Sequence, residues 1–285
     1  MVEFVLPVVF GIFIWWFATG IVLLLDGLPR RTFRWSIVIS SAVAIGSFVG
    51  LAHTANQSTT VGAYCAFTCA LLVWGWHELT FLTGWLTGTR KQARTPACSE
   101  WQRFTQAIAA IIWHELAIIA SLLLIVAITW NQSNQVGTGT FMVLWIMRTS
   151  AKLNLFFGVR NLSEEFLPEH LFYMGSYFRK RAMNPLLPIS VIASSLVLYS
   201  LLQDAFEPTA TAGMTVGLLL VSTMLAMAIL EHLLLVLPLP STALWRWALR
   251  KNTALPQTAT FQTDSQLALL NEDLLQPRPT CDYRP

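Results

Sequence analysis

Apolar residues in this chain come in long, nearly unbroken stretches, not at alternate positions or on one helical stripe. Such stretches occur at Phe4 to Leu25, Trp35 to Ala52, Val61 to Leu86, Phe104 to Thr129, Val136 to Phe157, Leu186 to Leu202 and Ala212 to Leu237. A helix rises about 1.5 Å per residue, so about twenty apolar residues cross a hydrocarbon layer about 30 Å thick. Inside that layer only a helix or a closed barrel satisfies its own backbone. The pattern predicts an all-α, polytopic membrane helix bundle of about seven transmembrane helices over residues 1–251. The first stretch lacks a basic leader and is followed by more of the same length, so it is expected to remain a span and not be cleaved as a signal.

Composition points the same way. Hydrophobic residues make up 55% of the chain and charged residues 12%, with 12 Trp, a balance suited to lipid and not to a soluble domain. The formal charge of +3 is small and the bases are scattered over loops, so no nucleic acid partner is expected.

The distribution of bases sets an orientation. Arg30, Arg31 and Arg34 follow the first span; Arg90, Lys91, Arg94 and Arg103 lie between the third and fourth; Arg160, Arg179, Lys180 and Arg181 follow the fifth; and Arg246, Arg250 and Lys251 follow the seventh. The intervening loops, around Asn56 to Thr60, Asn131 to Gln135 and Gln203 to Thr211, hold no Lys or Arg. The positive-inside bias then puts the N-terminus outside and the C-terminus in the cytoplasm. Within the cytoplasmic segment 161–183, Pro168 and Glu169 suit a helix start and Arg179 to Arg181 a helix end, so an interfacial helix is expected there. Residues 252–285, rich in Thr, Gln and Pro, are expected to form a disordered cytoplasmic tail.

Candidate chemistry is concentrated in a few side chains. Cys65 and Cys69 lie one turn apart in a span and read as packing residues, and the four Cys imply no disulfide framework. Trp15, Trp16, Trp35, Trp130, Trp245 and Trp247 near span ends fit an interfacial belt, and His53 near the outer surface reads as solvated.

Four of the five His stand directly beside a Glu: His77 with Glu78, His114 with Glu115, His170 with Glu169, and His232 with Glu231. Trp-His-Glu-Leu occurs twice, at Trp76 to Leu79 and Trp113 to Leu116, on spans of opposite direction. His77 and His114 lie nine and ten residues from the cytoplasmic ends of their predicted spans, a depth of about 14 Å. Glu231, His232 and the group Glu164, Glu165, Glu169 and His170 belong to the same half of the membrane. Ionisable groups in spans are costly and nearly always face a partner, a wet cavity or the bundle interior.

Three readings follow from these residues. In the first, His77, Glu78, His114, Glu115, Glu165, Glu169, His170, Glu231 and His232 hold iron, as a di-iron centre, or another divalent metal. Adjacent Glu and His diverge by about 100° on a helix, so one member of each pair would then support the ligand instead of binding. The chain also lacks the His-x-x-x-His pattern of membrane desaturases. In the second, Arg148 and Lys152, one turn apart on the fifth span, neutralise two of Glu78, Glu115 and Glu231. In the third, one or more His ligates a tetrapyrrole.

Longer strings carry a resemblance. Asp26-Gly-Leu-Pro-Arg-Arg-Thr-Phe-Arg-Trp, Gly62-Ala-Tyr-Cys-Ala-Phe-Thr-Cys-Ala-Leu-Leu-Val-Trp-Gly-Trp-His-Glu and Asn161-Leu-Ser-Glu-Glu-Phe-Leu-Pro-Glu-His-Leu resemble the PuhE family, photosynthetic complex assembly protein 2. Ser150-Ala-Lys-Leu-Asn, Leu230-Glu-His and Val236-Leu-Pro-Leu-Pro extend the likeness over about residues 10 to 250. It implies an inner-membrane, multi-pass factor, with an intracytoplasmic photosynthetic membrane as a further location. Its role would be assembly of the reaction centre and light-harvesting complex, linked to bacteriochlorophyll supply. Reaction-centre or light-harvesting subunits, pigment-biosynthesis proteins and membrane lipid would be its partners. The alternative is a metal-dependent membrane oxidoreductase acting on a pigment or isoprenoid substrate. The resemblance implies no particular site residues.

Overall fold

The computed structural model describes residues 2–162, 167–237, 245, 247 and 248. Among them are seven long helices: α1 Val2–Asp26, α2 Phe33–Thr54, α3 Thr60–Leu82, α4 Glu100–Thr129, α5 Val136–Phe157, α6 Leu186–Ala205 and α7 Ala212–Leu234. All but α5 are long and apolar enough to cross a membrane. α5 has the length, but it carries Arg148 and Lys152. The predicted spans match these helices within a few residues, and Val136–Phe157 matches at both ends. The expected tail 252–285 lies outside the described residues, as does Glu165.

End-to-end contacts fix an alternating up-and-down course. At one end, the Asn134 amide side chain donates to the carbonyls of Thr54 and Gly62, both at 3.1 Å, tying the α4–α5 turn to the α2–α3 turn. Phe4, Thr60, Ala205 and Ala212 line one cavity there, which brings together the starts of α1, α3 and α7 and the end of α6. At the other end, Arg103 in the first turn of α4 donates to the Phe156 carbonyl on α5 at 2.8 Å. The amide of Asn161 reaches the Leu235 carbonyl just beyond α7 at 2.9 Å. Helix α5 therefore runs the whole distance between the two ends and is the seventh crossing. Arg30, Arg90, Arg103, Arg160 and Arg179 all sit in or beside the connections of this second end, which gives the bundle one basic face.

Helix starts are set locally. Thr59 and Thr211 accept the amides of Gly62 and Met214, and Ser99 with Gln102 forms a reciprocal capping box at α4. These bonds satisfy amides that have no partner within the helix. Helix α3 is the most enclosed span. Ala66, Ala70, Val73 and Trp74 on it meet Ile118, Leu122 and Ile125 of α4 and Phe141 of α5, while Ala63, Phe67 and Leu71 meet Val216, Leu220 and Met224 of α7. Small residues on α3 let its neighbours approach closely, the usual basis of helix association in lipid.

The interfacial helix expected in 161–183 takes a different form. Glu169–Tyr177 is a 3-10 helix capped by Pro168, and Arg179 to Arg181 lie beyond it, next to an isolated bridge between Val159 and Lys180. Leu171, Met174 and Tyr177 recur every third residue, and at three residues per turn they fall on one face. That face is buried, with Leu171 and Met174 packing on Phe81 and Leu82 at the end of α3. The segment is a plug on the bundle end, with Phe172 turned outward.

Candidate functional site

Each intramembrane His-Glu pair splits, as the angular offset of neighbouring helix positions requires. On α3, His77 turns to α4, where its Nε2 shares a hydrogen bond with Ser121 Oγ at 2.9 Å. Its neighbour Glu78 turns to α5, where Arg148 donates to Oε2 at 3.2 Å. On α4, Glu115 pairs with Lys152 of α5. His114 turns toward α3, with its ring 6.3 Å from that of His77 and 4.5 Å from that of Phe81. On α7, the two nitrogens of His232 meet the Ala228 carbonyl at 2.8 Å and Ser150 Oγ of α5 at 3.0 Å. Glu231 turns the other way, to α1, and accepts the indole N–H of Trp15 at 3.0 Å.

Two ion pairs thus tie α5 to α3 and α4, and the third carboxylate, Glu231, is held by an indole. Glu231 and Glu115 also lie within electrostatic reach of Arg148, which makes these charges one network. Inside a membrane such mutual compensation is what allows ionisable groups to stay. Arg148 is 44% exposed and Glu78 15%, so the network opens on the arginine side.

His77 and His114 are enclosed, at 0% and 1% exposure. Neither Nδ1 has a hydrogen-bond partner among the described residues. Around them, the chain after α3 folds back along α4. Leu86 donates to Thr80, Arg90 donates to the Ala109 carbonyl at 3.1 Å, and the His114 amide donates to the Thr87 carbonyl at 2.9 Å. Gly88 makes this approach possible, because a Cβ there would lie 2.1 Å from the Ala109 carbonyl oxygen. The segment after α3 therefore descends beside α4, with its backbone bonded to protein as membrane depth demands.

The fourth pair sits apart from this network. His170 Nε2 is 2.7 Å from the Leu82 carbonyl at the end of α3, where burial lowers its pKa below the usual 6.5 and the carbonyl partly offsets that. Glu169 beside it is exposed. Among the described residues no three His, Cys, Asp or Glu gather as a metal ion would require. Of the proposed ligands among the described residues, His77 and His114 approach each other ring to ring, while Glu78, Glu115 and Glu231 gather around Arg148 and Lys152. The rings of Trp76, Phe81 and Phe141 lie around those two imidazoles. The arrangement found is the charge-compensated one, with Arg148 and Lys152 as the partners.

Two features lay outside the sequence reading. Trp15, assigned to the interfacial belt, instead supplies the donor for Glu231, and Trp245 packs on it edge-on at 5.4 Å. Arg103, read as a loop base, is 2% exposed. Neither departure has a local signature: Trp15 resembles Trp16 beside it, and Arg103 resembles its basic neighbours. His53 is exposed, as expected, and Trp35 and Trp130 face outward as a belt would.

A bundle of apolar helices with internally paired charges defines a multi-pass helical membrane protein. The chain belongs to the family described as protein of unknown function DUF3623, whose model matches residues 1–255. It is 37% identical over 242 residues to an uncharacterized 30.4 kDa protein in the puhA 5' region of Rhodobacter capsulatus, covering 84% of this chain and 88% of that one. No solved structure matches it.

Proposed function

We propose that this protein is an inner-membrane factor for assembly of the photosynthetic reaction centre and light-harvesting complex, working beside bacteriochlorophyll supply. The observation that carries this reading is the Rhodobacter capsulatus relative, whose name puts it in the puhA 5' region and which matches 84% of this chain. The PuhE-like strings at residues 26–35, 62–78 and 161–171 support it. So does the bundle itself. Its charges are compensated internally, while α1 and α6 are the least enclosed spans and turn Val5, Val9, Phe13, Ile189, Ile192 and Leu196 outward. Such faces suit lipid or the helices of membrane subunits equally well.

The test is deletion of the relative in Rhodobacter capsulatus, followed by complementation with this chain. The expected result is loss of near-infrared absorbance from assembled pigment-protein complexes, recovered on complementation. Unchanged absorbance in the deletion strain overturns the reading. The alternative, a metal-dependent oxidoreductase, draws on the uncommitted Nδ1 atoms of His77 and His114. Stoichiometric metal in the purified protein, lost in His114→Ala, would favour it.

A further inference from the structure

We propose that the base-rich end of α4 carries a binding site for a phosphate group, built by Arg94, Arg103, Arg179 and Arg181. These side chains come from three separate stretches of chain. Arg94 lies in the connection after α3, Arg103 in the first turn of α4, and Arg179 and Arg181 beyond the 3-10 helix. Each is placed by specific contacts. The Arg94 amide donates to Ser176 Oγ at 2.9 Å, which ties that connection to the 3-10 helix. The Arg179 amide donates to the Leu155 carbonyl and the Arg181 amide to the Val159 carbonyl, both at 3.1 Å, so 179–181 pairs with the chain leaving α5. In extended pairing, residues two apart share a face, which puts Arg181 on the side of Arg179.

Glu100 marks where they converge. Arg179 donates to Oε1 at 2.6 Å, and an Arg103 nitrogen lies 3.5 Å from Oε2. Arg181 lies within electrostatic reach of Glu100, and Arg94 within reach of Arg103. Three guanidinium groups, those of Arg103, Arg179 and Arg181, therefore act on a single carboxylate, Arg94 adds a fourth positive charge beside Arg103, and Glu100 is the one acid among the described residues that acts on Arg103. The first turn of α4 adds the positive end of its dipole.

Arg103 shows that the cluster is built and not merely solvated. It is 2% exposed, its guanidinium lies 3.9 Å from the centre of the Phe156 ring, and it donates to the Phe156 carbonyl at 2.8 Å. Its Nε has no partner among the described residues. Burying a guanidinium among like charges is costly unless an anion compensates it. Gly158 points the same way: its φ is +119°, and a Cβ there would come within 2.9 Å of the Arg181 stem. The chain takes a conformation that favours glycine at the point where that arginine must pass.

Phosphate fits this geometry because guanidinium forks bind its oxygens in pairs. The level fits as well. Trp101 in the same turn is 71% exposed and Phe157 at the end of α5 43% exposed, the placing of aromatics at a membrane surface. A phospholipid headgroup and free phosphate share this chemistry, and the test separates them.

Thermal unfolding of the full chain at constant ionic strength is the experiment. It compares detergent with and without inorganic phosphate, and nanodiscs of phosphatidylglycerol against phosphatidylcholine. Stabilisation by several degrees in phosphatidylglycerol alone assigns a headgroup, and stabilisation by inorganic phosphate assigns a free phosphate. In either case the shift should fall by at least half in Arg94→Gln/Arg181→Gln, two exposed positions whose loss leaves the core intact. An equal shift with chloride, or an undiminished shift in the variant, overturns the site. Stabilisation by an acidic peptide but by neither phosphate source also overturns it, in favour of a protein partner.

Discussion

The indole N–H of Trp15 and the carboxylate of Glu231 meet at 3.0 Å, joining the first spanning helix to the last. A donor to a half-buried carboxylate contributes about 1–3 kcal/mol. Trp15→Phe should lower the unfolding temperature in detergent, whereas Glu231→Gln, which keeps an acceptor oxygen, should cost much less. Equal losses in the two variants would show that packing, and not this bond, joins α1 to α7.

The pairs Glu78–Arg148 and Glu115–Lys152 make a sharper case. Removing one partner leaves the other charge inside the bundle, while removing both does not. Glu115→Gln and Lys152→Met should each destabilise the protein, and the double variant should recover much of the loss, with a coupling of about 1–2 kcal/mol. Additive losses in a double-mutant cycle would mean that the pair contributes nothing of its own.

Gly88 and Gly46 offer a contrast within one protein. A methyl group at Gly88 would run into the Ala109 carbonyl, whereas at Gly46 it meets nothing within 4 Å. Gly88→Ala should abolish the docking of the chain after α3 on α4 and reduce the yield of folded protein. Gly46→Ala should be neutral or slightly stabilising, since alanine favours the helix. Limited proteolysis near Arg90 reads the difference directly.

Acid should loosen the 3-10 plug. The folded-state pKa of His170 is lowered, first by burial, so the unfolded state binds the proton more tightly. Stability from this residue is present above its usual value of 6.5 and falls as pH drops through 6.5 toward the folded pKa. His170→Gln should flatten the acid limb of an unfolding-temperature profile; an unchanged limb would assign it to other groups.

Orientation is tested by labelling. Ser133→Cys lies in the base-free α4–α5 turn, and the natural Cys98 lies in the basic connection at the opposite end. A membrane-impermeant maleimide should reach position 133 in whole cells and Cys98 only after lysis. The reverse pattern would invert the topology.

Much of the fold was legible in the sequence because hydropathy adds up along the chain, without reference to neighbours. Val136–Phe157 was readable to the residue despite its two internal cations, since the turns on either side are polar. The identity of the cations that answer the buried acids was also readable, as one of three alternatives, from the spacing of Arg148 and Lys152. A short helix near residues 169–177 was legible too, but the expectation that its apolar side would lie on the membrane surface was not met, since Leu171 and Met174 pack on Phe81 and Leu82.

The sequence by itself determined that this chain crosses a membrane repeatedly, where it does so, and that its bases collect at one end, because transfer from water to hydrocarbon is a property of each segment alone. The tertiary structure decided which way each helix turns about its own axis. That rotation comes from packing between segments far apart in sequence, such as Trp74 against Phe141 or Gly88 against Ala109. It sends His77 toward Ser121 and Glu78 toward Arg148, and so distributes residues adjacent in the chain among different partners.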